Sequence, residues 1–103
     1  MKLLNGIFPL LVLSGCASVE SVPGADAVVL LEKHQLADCQ RLGSANAQVL
    51  DRIAFVERDQ EKMAAELLKL GQNEAVKLGG NALTVDSDIQ HGSRRFVVYR
   101  CQR

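Results

Sequence analysis

The chain carries no surplus of charge: Lys and Arg number 12, Asp and Glu number 12, and the formal net charge is zero. No basic stripe or acidic tail disturbs that balance, so nothing supports the phosphate attraction that nucleic-acid binding needs. The three cysteines, Cys16, Cys39 and Cys101, form no C-x-x-C pair, the usual layout of a thiol redox site. The tight paired spacing of structural zinc motifs is also missing, so Cys39, Cys101, His34 and His91 read as a disulfide plus two surface histidines. Asp86 and Asp88 flank Ser87, but the calcium-loop pattern does not follow, and the segment reads as a solvated turn. No motif sets a nucleophile beside a base. Glu61, Glu66 and Glu74 sit among lysines, which reads as salt-bridged solvation rather than acid–base chemistry. The expectation is no metal, no cofactor and no enzyme. No apolar run reaches the roughly 20 residues of a membrane-spanning helix.

What is present begins at the N-terminus. Lys2 supplies a positive charge, and an apolar stretch runs from Leu3 to Leu13, broken only by Asn5, Gly6 and Pro9. Small residues Ser14 and Gly15 then lead into Cys16. That is the layout of a secretory signal peptide, removed on export. The order Leu13-Ser14-Gly15-Cys16 also resembles the lipobox of bacterial lipoproteins. The resemblance implies cleavage before Cys16 and three acyl chains on that residue, where two already suffice for stable anchoring. In such lipoproteins an Asp just after the cysteine favours retention in the inner membrane. Here Ala17 and Ser18 follow, which implies the outer membrane, facing the periplasm. The expected organisation is a signal peptide over residues 1–15, a lipidated cysteine and flexible tether over 16–26, and one periplasmic domain over 27–103.

With Cys16 consumed by lipidation, Cys39 and Cys101 remain in an oxidising compartment, and only one intramolecular pairing exists. A Cys39–Cys101 disulfide would close most of the domain into one loop. A core this small is marginal without such a staple.

Along the chain, residues 17–26 are small and polar, with Pro23-Gly24. Ala27 to Leu31 is a short apolar run that reads as a buried strand. Cys39 to Leu50 reads as a strand bent or bulged at Gly43. Ile53 to Val56 is a second apolar patch, either a loop packing inward or a short strand. From Asp59 to Leu78 the pattern is helical. Ala64, Leu68, Gly71, Ala75 and Leu78 form an apolar stripe, widened by Met63, Leu67 and Leu70. Asp59 caps the start and Gly79-Gly80 ends it. Gly71 on that stripe predicts close approach to a sheet. Asn81 to Val85 and Arg94 to Cys101 read as strands of an antiparallel hairpin. Phe96, Val98 and Arg100 face one way, and Val97, Tyr99 and Cys101 the other.

Several segments together carry a further resemblance: Cys39-Gln40-Arg41-Leu42-Gly43, Arg58 to Lys62, Asn73-Glu74-Ala75, Leu78 to Asn81, and Val98-Tyr99-Arg100-Cys101. They resemble small bacterial lipoproteins of domain-of-unknown-function family 4156, over nearly all of the domain. The run into Gly79-Gly80-Asn81-Ala82 is more distantly similar to the Rcs stress-sensor lipoprotein, an α+β domain that signals envelope damage through protein contacts. That sensor has two disulfides, whereas this chain has cysteines for one. The nearer family has no established activity and supplies no functional residues.

Arg94, Arg95, Arg100 and Arg103 cluster at the C-terminus. Positive charge there protects an edge strand from pairing, and it also suits contact with an anionic partner such as a lipid surface or the cell wall. The expected fold is α+β: one long amphipathic helix on a small mixed or antiparallel sheet, tied by one disulfide. The expected role is a lipid-anchored periplasmic binding or interaction module of unknown partner, with an envelope protein or the cell wall as the candidates. The alternatives are an envelope-stress sensor and, third, a small hydrolase.

Overall fold

A computed structural model describes residues 19–53 and 56–102. Cys16 and Arg103 lie outside them. Seven elements follow in order: β1 (Val29–Leu30), β2 (Cys39–Gln48), β3 (Arg52–Ile53), β4 (Val56–Glu57), α1 (Gln60–Lys77), β5 (Ala82–Val85) and β6 (Ser93–Cys101). One mixed sheet has the order β1-β5-β6-β2. β1 runs parallel to β5, and β5–β6 and β6–β2 are antiparallel. β3 and β4 form a separate small hairpin. The fold is the expected α+β arrangement, with α1 packed on one face of the sheet and Cys39 bonded to Cys101.

Helix α1 begins where Asp59 Oδ1 accepts the Glu61 N–H at 2.8 Å, which satisfies one of the orphan donors of the first turn. It ends in a Schellman motif. The Gly80 N–H donates to the Ala75 carbonyl at 2.8 Å and the Gly79 N–H to the Val76 carbonyl at 3.0 Å, with Gly79 at φ 82°. The buried stripe is Met63, Leu67, Gly71 and Ala75. Its centre is therefore rotated from the expected one: Met63 and Leu67 lie at its middle, and Ala64 and Leu68 are half-buried beside it. Leu78 is 43% exposed, because it is the cap residue beyond the last full turn.

Strand alternation sets what meets the helix. Phe96 and Val98 of β6, Leu83 of β5 and Ala45 and Ala47 of β2 join Leu67 and Ala75 in one core. Leu42 is the extra residue where the β2–β6 register shifts between Arg41 and Gly43, one position before the expected site. Gly71 meets this core edge-on. A Cβ there would lie 2.7 Å from Phe96 Cδ2, well inside contact distance. Gly71→Ala should therefore lose stability, although an exposed helical glycine would gain up to about 1 kcal/mol from the same change. Gly71→Leu should cost on the order of 1–3 kcal/mol by overpacking. Thermal melts of both variants check this, and equal or raised stability in both would show that Gly71 does not face the sheet.

Two segments differ from their expected form, and a third matches one of its two alternatives. Only Val29–Leu30 of the run 27–31 is strand, and Ala25–Ala27 is a 3-10 turn. Ile53 and Val56 pair as ends of the short strands β3 and β4, which bears out the strand alternative, and Val56 is 66% exposed rather than packed inward. Residues 20–28 are docked: Asn73 donates to the Glu20 carbonyl at 2.8 Å and accepts the Val22 N–H at 2.9 Å. Ala25 is fully buried, and Gln72 Nε2 donates to the Val28 carbonyl at 2.9 Å. This stretch is a strap over α1, so the expected tether over 16–26 is docked on the domain from Glu20 onward.

Candidate functional site

The face of the sheet away from α1 is built from the other parity of each strand. Register places Asn46 of β2 opposite Arg95 of β6, and Gln48 opposite Ser93. The link from β5 to β6 folds over their end. Its last turn is a tight hairpin in which Gln90 and Ser93 exchange backbone hydrogen bonds at 3.0 Å. Between them His91 (φ 54°) and Gly92 (φ 74°) both take left-handed conformations, which is the type I′ geometry that suits the twist of paired strands.

Strand end and turn together enclose a groove of about 540 Å³. Its amides are Asn46, Gln48 and Gln90, and its hydroxyls are Ser87 and Ser93. Asp88, His91, Arg94 and Arg95 complete the lining, so none of its side chains is apolar. Both arginines are held at Nε. Arg94 Nε donates to the Ser87 carbonyl at 3.0 Å, and Arg95 Nε donates to Asp86 Oδ2 at 2.8 Å. The Ser87 hydroxyl accepts the Arg95 backbone N–H at 2.9 Å, which fixes the turn against the strand. Among the described residues, the terminal guanidinium nitrogens of both arginines make no hydrogen bond to protein.

Positive charge gathers around Asp86. The hydrogen bond from Arg95 holds the Asp86 carboxyl below its usual range, with smaller help from the charges of Arg95, Lys33 and Arg41. Asp86 therefore adds stability that is present above its unfolded value near 3.8 and is lost as pH falls through the lowered folded value. The lining itself carries Arg94 and Arg95 with Asp88, and Lys33 and Arg41 lie outside it but close enough to act on Asp86.

The four arginines read together from the sequence are separated. Arg94 and Arg95 both border the groove, Arg95 from the face that carries Asn46 and Arg94 from the end of β6 opposite Ala47. Arg100 lies at the far end of β6, roughly 20 Å away along the strand, with Nη1 3.5 Å from the Gly79 carbonyl at the helix exit. Arg103 lies outside the described residues. Cys39 and Cys101 are cross-strand partners, and His34 and His91 sit on separate turns. Of the three helical glutamates, Glu74 pairs with Lys77 at 3.2 Å. Glu66 pairs outside the helix with Arg58, at 2.7 Å, and the hydrogen bond from Arg58 lowers its pKa. Arg58 also donates to the Leu50 carbonyl at 3.0 Å, tying the β3–β4 hairpin to α1. The groove residues Asn46, Gln48, Ser87, Gln90 and Ser93 had no signal in the sequence, because only strand register brings them together.

Among the described residues no helix is long and apolar enough to cross a membrane. No curated protein and no solved structure matches the chain. A family model described as a domain of unknown function (DUF4156) matches residues 19–101, which is most of the sequence, and the chain belongs to that family.

Proposed function

We propose that the protein is a lipid-anchored periplasmic binding module, attached to the outer membrane through Cys16 and carrying the Arg94–Arg95 groove as its binding surface. The observation that supports this most directly is the strap. Glu20 and Val22 are held by Asn73, which projects from the side of α1 opposite Gly71. Three residues lie between Cys16 and Glu20, a reach of at most about 14 Å, so a lipid on Cys16 would hold the domain close to the bilayer. Val22 and Asn73 share a cleft with Asn46 and Gln48, so the strap meets the β2 edge beside the groove.

Cys16→Ser tests the anchor. The variant should incorporate no labelled fatty acid, and the wild type should fractionate with the outer membrane. Acylation of the variant would reject the lipobox reading, and recovery of the wild type with the inner membrane would reject the sorting.

A second reading, an envelope-stress sensor working through protein contact, has one feature in its favour. β2 is an edge strand of 10 residues with no proline and a single charge, Arg41, so it lacks most of the usual guards against pairing. Crosslinking in intact envelopes would favour this reading if it traps a stable protein partner along β2.

A further inference from the structure

We propose that the groove between β2 and the β5–β6 turn binds an acidic glycan: sugar hydroxyls along the amides, with a carboxylate or phosphate on Arg94 and Arg95. This deepens the binding-module reading and rests on it. Three observations carry the assignment.

The first is the character of the lining. Primary amides and hydroxyls each donate and accept hydrogen bonds, as sugar hydroxyls do. Asn46, Gln48, Gln90 and Ser93 supply four such groups on one surface, while the Ser87 hydroxyl is engaged with the Asp88 carbonyl and the Arg95 N–H. With no apolar side chain in the groove, nothing there would bury the aliphatic or aromatic anchor on which peptide recognition ordinarily depends.

The second is the state of the arginines. Each is fixed at Nε by a partner on the Asp86–Ser87 turn, at 2.8 and 3.0 Å. Fixing the guanidinium before the ligand arrives lowers the ordering cost of binding. The planar fork of terminal nitrogens is left for an oxyanion, which it can hold bidentately.

The third is charge. Lys33 and Arg41 act on Asp86 from outside the lining, so their positive charge reaches the groove and adds to the preference of the two arginines for an anion. The volume of about 540 Å³ falls within the usual range for small-ligand sites, about 300–1,000 Å³.

The test is calorimetric titration of the purified full-length mature protein, taken from whichever cell fraction holds it. Three probes are used: the disaccharide of N-acetylglucosamine and N-acetylmuramic acid, neutral chitobiose, and glucose 1-phosphate. The acidic disaccharide should bind at least ten-fold more tightly than chitobiose, and added salt should weaken it. Tighter binding of glucose 1-phosphate would identify a phosphorylated rather than a carboxylated glycan as the source. Arg94→Gln with Arg95→Gln should abolish the preference for an anion, and Arg100→Gln should leave it intact. Gln48→Leu, at an exposed position, should weaken all three probes while the melting temperature holds. The proposal is overturned if chitobiose binds as well as the acidic disaccharide, if none of the probes binds, or if Arg100→Gln matters as much as the paired change. A failed titration with Cys16 acylation intact removes the ligand and leaves the anchor. Failed acylation with a positive titration does the reverse.

Discussion

Replacing both Cys39 and Cys101 by alanine should remove about 4 kcal/mol of stability on the chain-entropy account for a loop of 62 residues. For a domain of this size that is a fall in melting temperature on the order of 20 °C. The bridge joins β2 to β6 at directly opposed positions, so it locks the register of the most extensively paired strands in the sheet. The same chain end is held a second time. Asn81 Nδ2 donates to the Cys101 carbonyl and Asn81 Oδ1 accepts the Cys101 N–H, both at 2.8 Å. With that clamp in place, the reduced protein should keep its β5–β6 pairing and lose stability chiefly through its unfolded state. Melts with and without reductant measure the effect. Equal melting temperatures would mean the staple contributes nothing, and reactive thiols in the unfolded, unreduced protein would mean it does not form.

Asn81 also shows why part of this fold was legible and part was not. The helix declares itself because its stripe, its Asp59 cap and its Gly79-Gly80 stop are all local signals that agree. The β5–β6 hairpin does so through alternation, which placed Phe96 and Val98 together correctly. The strap does not. Its small polar residues look like a tether, yet Asn73 binds it from 51 and 53 positions away. A side chain that pairs with a distant backbone leaves no periodicity behind. The same holds for Arg58, which bonds the Leu50 carbonyl and Glu66 at once.

Those three residues belong to the segments that carry the family resemblance, and in the fold they act as clamps: Asn73 on the strap, Asn81 on the end of β6, Arg58 on the β3–β4 hairpin. These three clamps hold the domain together, and the groove draws on different residues. Arg94 and Arg95 were visible as part of a basic cluster, but strand geometry removes Arg100 from it. Composition registers the number of charges. The β2–β6 register sets Arg95 on the face of Asn46 and Gln48, and the fold of the β5–β6 link brings Arg94 to the rim of the same groove.

Gly92→Ala should be among the most damaging single substitutions in the chain. Gly92 has φ 74°, a conformation that costs an L-residue about 1–2 kcal/mol. It is also buried, and its carbonyl accepts the Val49 N–H at 2.7 Å. A Cβ would overlap the Val49 carbonyl oxygen and lie 3.2 Å from the Asp51 nitrogen. Both obstacles are backbone, which cannot swing aside as a flexible side chain can. The conformational cost and the displaced crossing should together reach on the order of 3 kcal/mol, in the range set by named strain and packing defects. The neighbour supplies the control. His91 is exposed at φ 54°, so His91→Gly relieves a left-handed histidine without touching the crossing and should be neutral or stabilising by up to about 1 kcal/mol. Denaturant melts of the two variants should move in opposite directions. Because this turn forms one wall of the groove, Gly92→Ala should also lose whatever ligand the groove holds, at temperatures where the rest of the sheet is still folded. If Gly92→Ala melts like the wild type, the segment after β2 does not cross the turn as described, and the wall it forms would have to be redrawn.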